Sequence, residues 1–219
     1  RDREGTVWTQ PIAVSREPAS DDDICAIATL PGGVGVIWSD QSADTVYFRW
    51  HGDEAQPETW EEPEVVDRGN RTADDHLNTA VAQDGTLYVA TKNSFDRIGR
   101  PQLALHIRNP QGRWKKHPYA PRTDRGEPSR PIVVLGGEPE RFFLLHSLYG
   151  RDGGHTPQSW ISLQSTLGEV AQPAIAAATR INNVTACKAR LPVGHPWIVL
   201  ASDHHGNVYE ARIDSEPRR

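Results

Sequence analysis

The sequence predicts an all-β chain made of four copies of one four-stranded unit, and three observations carry that expectation. The first is a repeat. Four segments open on polar residues and run into an apolar stretch: DDDICAIATL (21–30), ADDHLNTAVA (73–82), SRPIVVL (129–135) and NNVTACKARL (182–191). Anchored on Asp23, Asp75, Arg130 and Asn183, they recur at spacings of 52, 55 and 53 residues. The second is a matching set of apolar stretches, VGVIWSD (34–40), TLYVATKN (86–93), RFFLLHS (141–147) and WIVLASD (197–203). Anchored on Ser39, Lys92, Ser147 and Ser202, these recur at 53, 55 and 55. Two independent anchors give one period of about 53, the mark of a repeat architecture. The third is the lack of any convincing 3.6-residue periodicity, set beside 18 Gly and 17 Pro, which supply turns. Four short antiparallel strands at a fixed period describe a β-propeller blade.

Each repeat justifies its strands in order. The first two strands are nearly continuous apolar runs, as expected when both faces are covered. Between them lie the turns PGG (31–33), QDG (83–85), GGEPE (136–140) and PVGHP (192–196). A third strand follows in TVYFRWH (45–51), PQLALHIR (101–108), QSWISLQS (158–165) and NVYEARI (207–213). A fourth is read in TWEEPEVV (59–66), RWKKHPYA (113–120) and GEVAQPAI (168–175). These later strands are more polar and hold Pro, as outer strands tend to. The blades are thus expected at about 21–66, 73–120, 129–175 and 182–213, with VWTQPIAV (7–14) as an outer strand with no blade ahead of it. Two closures fit. The four repeats are part of a larger propeller, or 7–14 completes the last repeat and closes a four-bladed ring. The absence of Met favours the first, through a removed segment or a longer polypeptide.

Composition limits the partners. No apolar run approaches the roughly 20 residues that span a bilayer. The net charge of −5 argues against a phosphate-binding surface, so nucleic acid is not an expected partner. Two cysteines, Cys25 and Cys187, are too few for a disulfide scaffold. Both fall in strands and read as small buried hydrophobes, with a single disulfide as the alternative. No cofactor is expected. The DDD run lacks the spaced ligands of a calcium loop, so no metal site is assigned.

The repeat also locates a site. Residues that precede each inner strand, and those that end the second strand, converge on one rim. The first set is Asp22, Asp23, Asp74, Asp75, His76, Arg130, Asn182 and Asn183. The second is Ser39, Asp40, Lys92, Asn93, His146, Ser147, Asp203 and His204. Asp and Asn before a strand also cap turns through backbone N–H groups, and that reading stands beside the functional one. Turn capping alone does not call for His76, Lys92 or Arg130 at equivalent positions. His51, His106 and His117 are read as solvated groups on outer strands. Trp8, Trp60 and Trp114 are read as packing between blades.

Several of these motifs together resemble bacterial sialidase-like (BNR-repeat-like) β-propeller proteins: SDDDI (20–24), GVIWSDQ (35–41), YFRWHGD (47–53), ADDHLN (73–78), LYVATKNS (87–94), SRPIVV (129–134), INNVTACK (181–188) and WIVLASD (197–203). They keep the group's order over nearly the whole chain and match its C-terminal half. The resemblance implies a secreted or extracytoplasmic protein with a saccharide ligand on the rim, further blades elsewhere, and Lys188 among the ligand-binding residues. Of the sialidase Ser-x-Asp-x-Gly-x-x-Trp turns only remnants occur, such as EGTVW (4–8) and RNPQGRW (108–114). Arg130 is the single arginine at a repeat anchor. The fold alone does not confer sialidase activity.

Three functions are compatible with this rim. One is carbohydrate binding or processing. Cleavage would draw on Asp23 and Asp75 as paired carboxylates, or on His76 or His146 as a base beside Arg130 or Lys92 for a lyase. The second is recognition without catalysis, and the third is a purely structural or protein-interaction role. The anchors differ in each repeat (Asp, Asp-His, Arg, Asn), which points to one composite site over a repeated one.

Overall fold

The computed structural model describes residues 10–15, 20–124, 126–137, 140–150, 159–177, 179–189 and 194–214. They form four antiparallel sheets, and no helix occurs among the described residues. Sheet 1 holds β1 (Cys25–Leu30), β2 (Gly33–Asp40), β3 (Thr45–Gly52) and β4 (Glu64–Arg68). Sheet 2 holds β5 (Leu77–Val81), β6 (Leu87–Lys92), β7 (Pro101–Arg108) and β8 (Trp114–Pro121). Sheet 3 holds β9 (Gly126–Gly136), β10 (Arg141–Gly150), β11 (Ser159–Gln164) and β12 (Gln172–Ala177). Sheet 4 holds three strands, β13 (Ile181–Ala186), β14 (Trp197–Asp203) and β15 (Val208–Ile213). Every sheet follows chain order, each strand paired to the one before it.

The sheets pack face to face in sequence. Ile37 and Phe48 of sheet 1 bury against Leu87 and Val89 of sheet 2. Ala90, Leu105 and Tyr119 of sheet 2 meet Val133, Leu135 and Leu144 of sheet 3. Phe143, Leu145 and Ile161 of sheet 3 meet Trp197, Val199 and Ala201 of sheet 4. Fully burying each such side chain contributes about 1.5–3 kcal/mol, so these three seams hold the arrangement together. The inner strands neighbour one another in the order β1, β5, β9, β13. The side-chain carbonyl of Asn78 accepts from the Val133 backbone N–H at 3.1 Å, linking β5 to β9. The outer ends of sheets 1 and 2 are tied by Arg108, which reaches both oxygens of Glu64 at 2.8 and 3.1 Å, and by Trp114 Nε1–H on Glu64 Oε2 at 2.7 Å. Trp114 also stacks edge-on to Phe48 at 5.7 Å across that seam. The result is a propeller-like row of sheets.

The structure corrects several expectations. Residues 10–14 form no strand. Pro11 removes a ladder donor, and the segment instead lies along sheet 1, where Arg49 Nη1 donates to the Val14 carbonyl at 2.6 Å; residues 7–9 and Trp8 lie outside the described residues. The fourth strands start later than expected, at Glu64 and Gln172. In the first repeat Trp60–Pro63 run as irregular chain, with Glu61 N–H held by the Trp50 carbonyl at 2.9 Å. The inner strands are not all covered on both faces: Cys25, Ile27 and Thr29 of β1 are exposed, because no other sheet of the described residues packs on that side of sheet 1. Cys25 and Cys187 are free and exposed, neither buried nor paired. His106 is buried rather than solvated: its Nε2 bonds Thr91 Oγ1 at 3.1 Å and lies 3.8 Å from Asp67 Oδ2 of sheet 1.

Candidate functional site at the mouth of the inner strands

Two inner strands are interrupted by a bulge, and β9 runs from Gly126, three residues ahead of the expected start at 129, so that its bulge lies inside the strand. On β9, Ile132 pairs with Leu145 and Ser129 with Ser147, so Arg130 and Pro131 together face His146. On β13, Asn182 pairs with Ser202 and Thr185 with Leu200, so Asn183 and Val184 together face Ala201. Arg130 and Asn183 take left-handed backbone, with φ of 49° and 53°. Asn tolerates that conformation; a long side chain such as Arg does so at a cost of about 1–2 kcal/mol. A bulge re-aims a side chain, and here both side chains turn into one cavity.

That cavity, about 420 Å³, draws on all four inner strands or the residues just ahead of them: Ile24, then Asp75 to Asn78, then Arg130 to Ile132, then Asn183 to Thr185. A polar chain crosses it. Arg130 Nε donates to Asn183 Oδ1 at 2.9 Å, and Arg130 Nη1 lies 2.8 Å from His76 Nε2. Arginine only donates, so His76 accepts at Nε2 and carries its proton on Nδ1. That proton faces Asp74 Oδ1 at 2.7 Å, with Asp75 Oδ1 also in contact. Behind the histidine, Lys92 Nζ and Ser94 Oγ donate to Asp74 Oδ2 at 2.9 and 2.8 Å.

The two adjacent carboxyls are driven apart. Burial alone would raise Asp74, but hydrogen bonds from His76, Asp75 and Lys92 outweigh it and hold the carboxyl far below the usual range. Asp75 is raised, by partial burial first and then by its contact with Asp74. Asp74 therefore stays an anion that fixes the imidazole. Asp75, whose side chain is 62% exposed on the cavity, is the carboxyl that takes a proton more readily. Asp74, Asp75 and His76 each present a donor atom within 4.8 Å of the others, the one group of metal-type ligands among the described residues.

The remaining expected residues are placed differently. Asp23 caps a turn: its carboxylate accepts from Ser20 N–H at 2.7 Å and Gln41 N–H at 2.9 Å, and it does not line the cavity. The Asp22 carbonyl accepts from Gln41 Nε2. A paired-carboxylate role for Asp23 with Asp75 has no support in this arrangement. His146 does not reach the rim: it is 2% exposed, packed edge-on to Tyr119 at 6.2 Å in the sheet 2–sheet 3 seam. Burial lowers its pKa to about 4. Asn182 accepts from the Tyr149 hydroxyl. Lys188 is exposed beyond β13 and off the cavity wall. Asp203 is held as an anion by Asn207, Thr179 and Tyr209, and Ser39 Oγ accepts from the Ile24 N–H at 3.3 Å. Asn78, Thr185 and Ser94 belong to the site and were not singled out from the sequence. Ser94 lies two residues past Lys92, at the end of the same polar run.

No protein-family model matches the chain, and no curated protein matches it significantly.

Proposed function

We propose that the chain is a set of propeller blades that binds a saccharide in the cavity at the mouth of its inner strands. One observation carries this reading. A single cavity takes a different polar group from each of three inner strands, and those groups are already fixed to one another in the order Asp74–His76–Arg130–Asn183. Pre-fixed donors and acceptors suit a ligand rich in hydroxyls, because little ordering remains to be done on binding. Among the described residues Arg130 donates through Nε and Nη1, and a guanidinium carries five N–H groups in all, so it has the donors to bind a hydroxyl-rich ligand as well. The motif resemblance to secreted sialidase-like propellers supports the same ligand class and location.

A catalytic version, glycoside hydrolysis or lyase chemistry, is favoured by the split between Asp74 and Asp75. A proton-loving carboxyl beside a locked anion and an oriented imidazole is an acid–base arrangement. In that version Asp75 transfers the proton, Asp74 orients His76, and Arg130 neutralises charge on the sugar. The test is a titration of the best saccharide from a glycan array into wild type and Asp75→Asn, with product release followed in parallel. Binding with release that Asp75→Asn abolishes supports catalysis. Binding without release supports recognition alone, and no binding overturns both.

A further inference from the structure

His76 and Arg130 are joined by a contact that only one charge state of the imidazole allows. Arg130 Nη1 lies 2.8 Å from His76 Nε2. A guanidinium only donates, so Nε2 must offer its lone pair, and an imidazolium has none to offer. The proton of the neutral ring sits on Nδ1, against Asp74 Oδ1 at 2.7 Å and in contact with Asp75. That proton, and the hold of Lys92 and Ser94 on Asp74 Oδ2 at 2.9 and 2.8 Å, occupy the atoms a cation would need. Asp74, Asp75 and His76 therefore do not act as metal ligands in this arrangement.

A second proton on His76 would go to Nε2, directly against the guanidinium. The ring has little room to turn aside, because its side chain is 15% exposed and its far nitrogen is held by Asp74. Arg130 is the partner that can move. Its backbone is left-handed, with φ of 49°, a conformation that persists only while the surroundings enforce it. Losing His76 leaves it the bond to Asn183 Oδ1 at 2.9 Å. The other groups around the ring do not cancel this effect. Lys92 keeps its charge and stays behind Asp74, and Asp74 is held as an anion by its bonds. Asn183 of β13 and Ile24 ahead of β1 line the same cavity and do not titrate. Asp75 is the further lining group able to gain a proton, and it touches the Nδ1 side of the ring rather than Nε2.

We propose that His76 is a proton-operated latch on Arg130: neutral, it holds the guanidinium across the cavity; protonated, it releases the guanidinium and the site loses its ligand. Ligand and proton then oppose each other reciprocally, since a ligand that uses the latched Arg130 favours neutral His76. The latch stands on the contact alone, whereas the loss of ligand rests on the saccharide reading above.

Nuclear magnetic resonance of the full chain, labelled with ¹⁵N at histidine and arginine, tests the latch without any ligand. His76 is assigned from the spectrum of His76→Gln and Arg130 from that of Arg130→Ala. At about pH 8 the His76 proton should be on Nδ1. From there to about pH 5, where histidines change charge, the Arg130 Nε–H signal should shift with the same midpoint as His76. The shift should persist in Asp75→Asn and vanish in His76→Gln, whose amide oxygen accepts at every pH. A proton on Nε2 at pH 8, a His76 that stays neutral to pH 5, or an Arg130 signal that ignores its titration overturns the proposal. A glycan array read at about pH 7.5 and pH 5 tests the consequence. Wild-type affinity for its hits should fall about fivefold or more at the lower pH, and by less in His76→Gln. Hits that keep their affinity at pH 5 overturn the release of ligand. Silence of the array at both pH values beside a responsive Arg130 signal overturns the saccharide reading and supports the latch.

Discussion

Arg130 Nη1 lies 2.8 Å from His76 Nε2, although the two residues are 54 positions apart and belong to neighbouring sheets. The contact exists because Arg130 sits in a β-bulge with φ of 49°. It joins two inner strands at the mouth of the cavity and fixes which imidazole nitrogen holds the proton.

The backbone at Arg130 gives the first prediction. Arg130→Gly and Arg130→Ala both delete the contacts to His76 and Asn183. Only glycine also releases the left-handed strain. The glycine variant should be the more stable of the two by about 1 kcal/mol in urea unfolding. Equal stability would show that the bulge relaxes once the side chain is gone.

The Asp74–Asp75 pair sets an acid response of two signs. Asp74 has a lowered pKa in the fold, so its stabilisation is present above the unfolded value near 3.9 and fades as pH falls below it. Asp75 has a raised pKa, so its contribution is present at low pH and lost as pH rises through the folded value. Asp74→Asn should cost about 1–3 kcal/mol at neutral pH, through the bonds to Lys92, Ser94 and His76, and should flatten the acid limb. Asp75→Asn should stabilise slightly at neutral pH, by less than about 1 kcal/mol, because its side chain is exposed and screened. Thermal unfolding from pH 3 to 8 reads both.

Two buried histidines govern the range above that. Burial holds His106 and His146 neutral, each with a pKa of about 4. Unfolded, each binds a proton near pH 6.5. Between these values the unfolded state holds more protons, so stability should fall as pH drops from about 6.5 to 4. The slope for both is close to two protons at mid-range. His146→Phe should bring it toward one, seen in chemical unfolding at a series of pH values.

Gly136 reports on the last internal seam. A Cβ at this position would come 2.2 Å from Trp197 Cζ2. Gly136→Ala should therefore cost about 1–3 kcal/mol and shift tryptophan fluorescence, since the indole is itself buried and has no room to retreat.

The sequence made the sheet rhythm legible because apolar runs and Gly-Pro turns recur at a fixed period, and Lys92 ends its second strand while Ser39, Ser147 and Ser202 lie one to three residues before the ends of theirs. Burial was less legible. Ile27 and Val89 look alike in sequence, yet one is exposed and the other buried, because burial is decided by a neighbouring sheet. His146 and Lys92 both read as rim residues; a one-residue step along a strand turns a side chain to the opposite face, and His146 falls on the seam. Asp23 and Asp75 occupy equivalent anchors, but aspartate suits both a turn cap and an open site, and only the partners Ser20 and Gln41 distinguish the first. The bulges at Arg130 and Asn183 leave no residue-type signature that a repeat alignment reveals.

The most direct test of the central claim is a glycan array read with wild type, Arg130→Ala and Asp75→Asn side by side. The account predicts saccharide hits for wild type that both variants lose by about tenfold or more in affinity, as expected when a desolvated polar contact to the ligand is removed, while both remain folded. Hits retained in both variants, or silence of the wild-type protein across the array, would contradict a saccharide site at the mouth of the inner strands.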